Sequence, residues 1–368
     1  MIPLVYGLSP IHIPAFFYLD LMARGKRIPR PRYKGEPVSI VIPCHNEEAV
    51  IGNTIRALLK LDLEKEIIIV DDGSTDRTYE IASSFPGVKV IRRESGGSGK
   101  SEPLNAGIEA AKYDYVCILD ADSRPSSGSI KRLIPYLRAK RVAAACGVIR
   151  IRNERLNWIT KVVSLEFNIA NYLQWKKSMV SGYVPYLPGT IMVIKKELAK
   201  FPKSLVEDAE LSARLMQKGY VIIVDKRAFA TELAPTSFKA YFRQRTRWAR
   251  GGWCLLKYLT RRAFLSSMLT FFERIQPLLV ILSDLIFFFG IYMKWYAIDF
   301  ILTPLWIFST LVLFLLYMQA ERDMGKHYDK KTYIIYFFVA SFIYLIIWIR
   351  SLFPIRGWRK TIRQSDYR

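Results

Sequence analysis

The chain has 368 residues, a formal net charge of +23, and four cysteines and three histidines scattered along it. This length allows one large or two ordinary domains, and the scattered cysteines and histidines indicate neither a disulfide framework nor a structural zinc site. So strong a positive charge would ordinarily suggest nucleic-acid binding. We instead predict contact with anionic lipid and a phosphate-bearing substrate, and no nucleic-acid partner, because long apolar runs dominate residues 264–353.

Residues 1–35 are predicted to form a membrane-surface segment followed by a basic linker. Residues 4–23 are apolar, but they contain prolines and lack the basic start of a signal peptide. Arginines and lysines then recur as far as Lys34 in a proline-rich stretch, an arrangement that suits anionic lipid headgroups.

From residue 36 onwards, short apolar strands alternate with helical patterns. The predicted strands are Val38–Pro43, Glu66–Asp72, Val88–Arg93, Tyr115–Asp120 and Val142–Ile151. This alternation predicts an α/β fold, with a mainly parallel sheet covered by helices on both faces. In such folds, ligands bind beyond the carboxyl ends of the strands.

Acidic residues stand at these strand ends. Asn46 and Glu47 follow the first strand, Asp72 closes the second, and Asp120 and Asp122 close the fourth. Any one group could consist of ordinary turn or cap residues. Their convergence on one sheet edge favours a hard divalent cation, Mg²⁺ or Mn²⁺, which prefers oxygen ligands and can bridge to a diphosphate.

A glycine-rich segment ends in Gly99-Lys100-Ser101, as a phosphate-binding P-loop would. That motif requires a glycine five positions before the Gly-Lys pair, where a tight turn aims backbone N–H groups at the phosphates. Glu94 occupies this position. The pattern therefore excludes a P-loop, and Lys100 needs another explanation.

Several short motifs follow one another between residues 36 and 252. They are Pro43-x-x-Asn46-Glu47, Asp71-Asp72-Gly73-Ser74-Thr75-Asp76, Gly99-Lys100-x-x-x-Leu104-Asn105-x-Gly107, Asp120-Ala121-Asp122, Gly189-Thr190, Val206-Glu207-Asp208 and Gln244-Arg245-Thr246-Arg247-Trp248. Together they resemble the family 2 glycosyltransferases with a GT-A fold, especially the membrane-integrated, cellulose- and hyaluronan-synthase-like branch. The resemblance implies a cytosolic GT-A (Rossmann-like) nucleotide-sugar domain at residues 36–237.

The same resemblance implies a role for individual side chains. Residues implied to bind the donor, a nucleoside-diphosphate sugar, are Pro43, Asn46, Glu47, Asp72, Lys100, Asp120, Gln244, Arg247 and Trp248. Gly189, Thr190 and Trp248 would meet the acceptor. Asp122, with Asp120, would hold Mn²⁺ or Mg²⁺ on the diphosphate. Asp208, beside Glu207, would be the general base.

These residue types fit the chemistry of glycosyl transfer. A metal and fixed cations disperse the charge that develops on a leaving diphosphate. A single base opposite the leaving group implies one displacement with inversion, without the second carboxylic acid of a glycosidase. The family often has threonine where Val206 stands, so a local hydrogen bond is expected to be missing. Glu207 and Asp208 are also what a helix start would show.

The remainder of the chain predicts membrane association. Residues 238–262 interleave arginines with tryptophans, which favours an interfacial amphipathic helix over a nucleic-acid site. Within residues 263–353, apolar runs approach the about 20 residues that span a bilayer, although buried core helices are the alternative. These runs are Ile275–Met293, Ile298–Met318 and Tyr333–Ile349. A basic tail, residues 354–368, follows this small C-terminal bundle of about three transmembrane helices.

Three functions remain open at this point. We favour an inverting transfer of one hexose, with GDP-mannose or UDP-glucose as leading donors, onto a polyprenyl- or dolichyl-linked acceptor at the cell membrane. A processive polysaccharide synthase is the alternative, but about three spans are too few to enclose a polar channel without oligomerisation. A dolichyl-phosphate sugar synthase is a variant of the first. A non-catalytic nucleotide-binding membrane protein is the outside alternative. The oligomeric state is not predicted.

Overall fold

A computed structural model describes residues 21–353, apart from residues 24, 30, 95, 97–98, 183, 185–188, 259–313 and 316. The strands are β1 (Val38–Cys44), β2 (Lys65–Asp72), β3 (Val88–Arg93), β4 (Tyr115–Leu119), β5 (Arg124–Pro125), β6 (Val142–Ile151), β7 (Ile191–Lys195) and β8 (Val221–Glu232). The α-helices are α1 (Ile51–Leu59), α2 (Thr78–Ser83), α3 (Ser101–Glu109), α4 (Ser129–Leu133), α5 (Trp158–Ser181), α6 (Glu207–Gln217), α7 (Phe238–Trp253) and α8 (Lys330–Ser351). Short 3₁₀ turns cover Ile134–Arg138, Lys196–Leu198 and Cys254–Tyr258.

The strands form one eight-stranded sheet in the order β3-β2-β1-β4-β7-β6-β8-β5. The β1–β2, β2–β3, β1–β4 and β6–β8 pairs are parallel, whereas β7 is antiparallel to both β4 and β6 and β5 is antiparallel to β8. The α/β prediction and the predicted strands are confirmed. The sheet is more mixed than predicted, because apolar patterning reports which residues are buried but not the direction of a strand.

The central strands are buried on both faces, which explains their continuous apolar runs. Within β2, Ile67 and Ile69 face one core cluster, while Ile68 and Val70 face the other. This alternation follows from the two-residue period of a strand. Helices α1 and α4 cover the first face and helices α3 and α5 cover the second, so the loops at the strand ends remain free to form a site.

Helices α5, α7 and α8 pack beside the sheet. Helix α5 starts with a capping box, in which the Asn157 side chain accepts from the Thr160 N–H at 3.0 Å and the Thr160 hydroxyl accepts from the Asn157 N–H at 3.1 Å. It ends at Gly182, whose φ of 69° is a left-handed conformation that suits glycine. Helix α8 packs on α5 and α7, with Tyr336 and Ile347 fully buried.

The membrane predictions fall partly outside the described residues. This is so for residues 1–20, for Ile275–Met293, for most of Ile298–Met318 and for residues 354–368. The third predicted span, Tyr333–Ile349, lies within α8. In the part of the chain that the structure covers, no helix has both the length and the apolarity to cross a bilayer. The predicted transmembrane bundle is therefore not supported.

Candidate active site

The loops that follow β1, β2 and β4 meet at a cavity of about 290 Å³. The cavity lies at the sheet edge where the sequence placed the acidic residues. Thirteen predicted site residues line it: Pro43, Glu47, Asp72, Lys100, Asp120, Asp122, Gly189, Thr190, Glu207, Asp208, Gln244, Arg247 and Trp248. Residues from positions 43 to 248 along the chain thus converge on one place, as expected of a site with several substrates.

Asn46 is the predicted site residue that does not line this cavity. Its φ is 54°, a left-handed conformation that asparagine tolerates better than most residues. Its N–H donates to the Ser74 hydroxyl at 2.9 Å, and its Oδ1 accepts from the Thr75 N–H at 2.8 Å. Asn46 therefore joins the loop after β1 to the loop after β2, and its part in the donor site stays a prediction.

Arg93, at the end of β3, holds the Asp72 carboxylate and was not singled out from the sequence. Its Nη1 donates to Asp72 Oδ1 at 2.5 Å and its Nη2 donates to Glu102 Oε2 at 2.6 Å. The signal was available, because a basic residue ended a predicted parallel strand at the ligand edge. Asp72 is therefore fixed in position before any ligand enters.

The glycine-rich segment that mimics a P-loop packs against the backbone of β2. A Cβ on Gly96 would lie 2.0 Å from the Asp72 carbonyl oxygen, far inside van der Waals contact. The His45 ring nitrogen Nδ1 lies 2.8 Å from the same oxygen and donates to it. The glycine is thus required by a close backbone approach at the site wall, which gives it a reason other than phosphate cradling.

Lys100 precedes α3 and projects into the cavity. Its Nζ donates to the Asp120 carboxylate in a close ion pair. Burial alone would lower the pKa of Lys100, but the charges of Asp120, Glu207 and Asp208 outweigh burial and raise it. Lys100 therefore carries a firm positive charge among carboxylates.

Three carboxylates, those of Asp120, Asp122 and Glu232, could hold a metal ion. One oxygen from each lies within 4.8 Å of the others. Glu232 Oε1 accepts from Ser123 Oγ at 3.1 Å and from the Thr190 hydroxyl. Burial, and then the charge of Asp120, raise the pKa of Glu232 to about 7. A cluster of buried oxygen donors with like charge suits a hard divalent cation.

Glu232 was missed in the sequence because it follows no acidic motif. Its signal is positional, since it ends the long strand β8, which runs parallel to β6. Thr190 donates its hydroxyl to Glu232 and also lines the cavity, and its predicted contact with the acceptor stays a prediction.

Asp208 and Glu207 occupy the first turn of α6, so the helix start and the predicted base coincide. Burial raises the pKa of Asp208, and Asp120 adds to the rise while Lys100 and Arg247 oppose it. Burial, together with the charge of Asp208, raises the pKa of Glu207 to about 6. A raised pKa brings a carboxylate closer to the range in which a general base works.

Val206 occupies the cap position of α6 and makes no side-chain capping bond, as the sequence predicted. It contributes packing instead. A Cβ on Gly251 of α7 would lie 2.4 Å from a Val206 methyl group, so the helix can approach α6 only with glycine there. Nearby, Arg247 Nη1 donates to the Leu205 carbonyl at 2.8 Å, which fixes α7 beside the predicted base.

Helix α7 (Phe238–Trp253) and the 3₁₀ turn Cys254–Tyr258 lie within residues 238–262, where an interfacial amphipathic helix was predicted, and residues 259–262 are outside the described residues. Arg243 is exposed, whereas Arg245 is fully buried. The arginines therefore do not form one polar face, because at 3.6 residues per turn two residues that are two positions apart lie about 200° apart around the helix axis. Gln244, Arg247 and Trp248 line the cavity, as the sequence predicted.

Residues 39–200 match the family model described as Glycosyl transferase family 2. The segment from residue 39 to residue 200, which is less than half of the chain, is therefore similar to a family 2 glycosyltransferase domain. This match covers β1 to β7 and ends before Glu207, so the roles of Asp208 and of α7 remain predictions. The finer likeness to cellulose and hyaluronan synthases is not supported.

Relatives that match this domain have different names. "Probable glycosyltransferase YdaM" of Bacillus subtilis is 29% identical, with 94% of this chain and 92% of the relative aligned. Poly-beta-1,6-N-acetyl-D-glucosamine synthase of Staphylococcus epidermidis is 31% identical over 59% of this chain and 55% of its own length. Beta-monoglucosyldiacylglycerol synthase of Synechocystis is 30% identical over 59% and 48%. The chain thus aligns with about half the length of these two synthases.

The fold is also found in solved structures. The mannosyltransferase PcManGT from Pyrobaculum calidifontis, in complex with GDP-Man and Mn²⁺, superposes with a TM-score of 0.62 and 19% sequence identity. The alignment covers 88% of this chain and 99% of that one. The likeness confirms the α/β, GT-A-like fold.

Proposed function

We propose that this chain is an inverting, metal-dependent glycosyltransferase that moves a hexose from a nucleoside-diphosphate sugar to a membrane lipid-linked sugar. The observation that carries this proposal is a single cavity that brings together a possible metal site, the half-buried Lys100 and Asp208. A module that only bound nucleotide would not need a further carboxylate, that of Asp208, in the same cavity.

Each group in the cavity has a part in the proposed reaction. Asp120, Asp122 and Glu232 would hold Mn²⁺ or Mg²⁺, which supplies charge neutralisation at the leaving diphosphate. Lys100 and Arg247 bring fixed positive charge to the same cavity. Asp208 accepts the proton of the acceptor hydroxyl as that oxygen bonds to the anomeric carbon and the diphosphate departs. A single displacement inverts the anomeric centre.

A lipid-linked acceptor at a cell membrane is supported by three features. The chain carries a net charge of +23, and large apolar side chains such as Ile334 and Ile346 of α8 are exposed to 59% and 55%. One relative is named as a synthase of a glycolipid. The second candidate, a polysaccharide synthase, is favoured by the name of another relative at similar identity.

The test is release of nucleoside diphosphate by the purified full-length protein from a panel of GDP- and UDP-sugars. GDP-mannose and UDP-glucose are included, each with and without Mn²⁺ and with and without membrane lipid extract. We expect Mn²⁺-dependent release from one donor that increases with lipid. Release independent of metal would contradict the metal assignment, and no release from any donor under any condition would contradict the transferase.

The product separates the two candidates. Mass spectrometry of the lipid fraction should show a single added hexose, and NMR of that hexose should show an anomeric configuration opposite to the donor's. A ladder of added sugars would instead establish the polysaccharide synthase.

A further inference from the structure

The cavity wall contains a buried ion pair that the proposed reaction does not use. Glu166, in the middle of α5, and Arg245, on α7, each have 2% of their surface exposed. The carboxylate Oε2 accepts from Arg245 Nη2 at 2.5 Å and from Nε at 3.1 Å. A buried charge is expensive unless it is paired and hydrogen-bonded, and here both charges are.

The other carboxylate oxygen of Glu166, Oε1, accepts hydrogen bonds from two tyrosine hydroxyls. Tyr241 of α7 donates to Oε1 at 2.6 Å, and Tyr344 of α8 donates to the same oxygen at 2.8 Å. One carboxylate therefore joins α5, α7 and α8. Tyr344 lies 178 residues after Glu166 and also lines the cavity.

The same guanidinium fixes two of the predicted substrate-binding side chains. Arg245 Nη1 donates to Gln244 Oε1 at 2.6 Å, and the guanidinium carbon lies 4.4 Å from the centre of the Trp248 ring. Because an arginine has only donors, the Gln244 carbonyl oxygen must face it. The Gln244 amide N–H groups then face away from Arg245. Within the described residues they donate to no protein acceptor.

A purely structural role does not require this arrangement. Replacing a buried ion pair by apolar side chains of similar volume is often neutral or stabilising, so such a pair is weak evidence for stability. What apolar side chains could not do is set the direction of the Gln244 amide and hold the Trp248 ring by its face.

Resting on the proposed function, we propose that Glu166 is a positioning residue for transfer. Through Arg245 it orients Gln244 and Trp248 in the cavity, and through Tyr344 it makes the placement of these side chains depend on the C-terminal helix α8. The oriented Gln244 amide offers a hydrogen-bond donor, which recognises an oxygen of the substrate, such as a sugar hydroxyl.

Two variants with one matched control test this role. Tyr344→Phe removes one hydroxyl from Glu166, and Glu166→Gln removes the charge while keeping the shape. Tyr336→Phe is the control, because Tyr336 also lies on α8 and is fully buried but makes no hydrogen bond to Glu166. Thermal unfolding verifies that all three full-length variants are folded.

We measure Mn²⁺-dependent binding of GDP and UDP by calorimetry, and transfer from the donor identified above as the lipid extract is varied. We expect GDP or UDP affinity to change less than transfer, because Lys100 and Asp120 do not contact the network, whereas Gln244 and Trp248 do. The kcat/KM for the acceptor should fall about tenfold in Tyr344→Phe and further in Glu166→Gln. The Tyr336→Phe control should retain wild-type transfer.

A second measurement needs no substrate. In spectra of ¹⁵N-labelled tryptophan, the Trp248 indole N–H signal, assigned through Trp248→Phe, should shift in Tyr344→Phe and Glu166→Gln but not in Tyr336→Phe. Equal transfer and an unshifted Trp248 signal in Tyr344→Phe would overturn the proposed role of Glu166. A shifted signal in a protein that releases no nucleoside diphosphate would leave the positioning network intact and reject the proposed function instead.

Discussion

A methyl group on Gly189 would lie 2.9 Å from Oδ2 of Asp208 and 3.4 Å from Nζ of Lys100. Gly189 therefore leaves both Asp208, the proposed base, and Lys100 uncovered, and both side chains reach the cavity beside it. The sequence predicted that Gly189 contacts the acceptor. In the structure, the absence of a side chain on Gly189 leaves open space in front of Asp208.

Gly189→Ala should lower transfer about tenfold or more, because the added methyl group forces the Asp208 carboxylate to turn away from its position. The carboxylate is the end of a side chain and can move, so the protein should still fold. Gly128→Ala is the matched control, since a Cβ there meets only Arg132, at 3.7 Å. Steady-state transfer is measured for both. Wild-type rates in Gly189→Ala would contradict this account of the site.

Asp208→Asn should reduce transfer by about a thousandfold while leaving Mn²⁺-dependent nucleotide binding nearly unchanged, as expected for loss of a general base. Burial raises the pKa of Asp208, and the protonated acid cannot accept a proton. Transfer by the wild type should therefore fall as pH decreases through that raised pKa. Retention of most activity by Asp208→Asn would remove the proposed base.

Glu207→Gln should change how stability depends on pH. The pKa of Glu207 is about 6 in the folded chain against an ordinary value of 4.5. The folded state therefore binds more protons than the unfolded state between these values, and stability falls as pH rises through them, by about 2 kcal/mol in total. Glu207→Gln has no carboxyl group to ionise at this position, so its stability should not decrease in this way.

Urea unfolding of the metal-free protein at pH 4 and pH 7.5 measures the effect. Glu207→Gln should gain about 2 kcal/mol relative to wild type on going from the lower to the higher pH. The exposed Glu109→Gln serves as control and should follow wild type. If the stability of Glu207→Gln and of wild type depended on pH in the same way, burial would not raise the pKa of Glu207.

Mn²⁺ affinity should increase with pH because the metal competes with a proton on Glu232. With a pKa of about 7, Glu232 is mostly protonated at pH 6 and mostly ionised at pH 8, so affinity should rise about tenfold between them. Glu232→Gln should bind Mn²⁺ more weakly and without this dependence. Asp62→Asn, at a fully exposed carboxylate, should match wild type in calorimetry. A pH-independent wild type would exclude Glu232 as a ligand.

Arg93→Gln should weaken GDP or UDP binding about tenfold, because the Asp72 carboxylate loses the charged hydrogen bond that fixes it. Arg92→Gln is the neighbouring control: Arg92 is half exposed and lies 3.8 Å from Asp71 rather than Asp72. Calorimetry with Mn²⁺ present compares the two. Equal affinities in both variants would show that the Arg93 clamp does not prepare the nucleotide site.

Much of the site could be predicted because parallel strands deliver their carboxyl ends to one edge. Asp72, Asp120 and Asp122 stand directly after buried apolar runs, and this placement alone brings them together. Asp208 was found through its motif and the helix start that it shares. Such reasoning works where a local pattern determines the three-dimensional position.

The parts that could not be predicted depend on contacts that no local pattern records. Glu232 lies near Asp120 only because of where β8 stands in the sheet. It is parallel to β6 and is separated from β4 by β7 and β6. The direction of β7 left no signal in its apolar run. Asn46 has the right motif but turns its side chain toward the neighbouring loop, and Glu166 looks like any other polar residue in a long helix.

The reversed direction of β7 has a consequence for how this protein could be modified. Its first residue, Ile191, pairs with Leu119, the last residue of β4, so the loop entering one strand abuts the loop leaving the other. The cavity is therefore assembled from separate stretches of chain, one carrying Asp120 and Asp122 and one carrying Gly189 and Thr190. Substituting Gly189 would therefore change the space beside Asp208, while Asp120 and Asp122, which follow β4, belong to a separate stretch of chain and would keep their places.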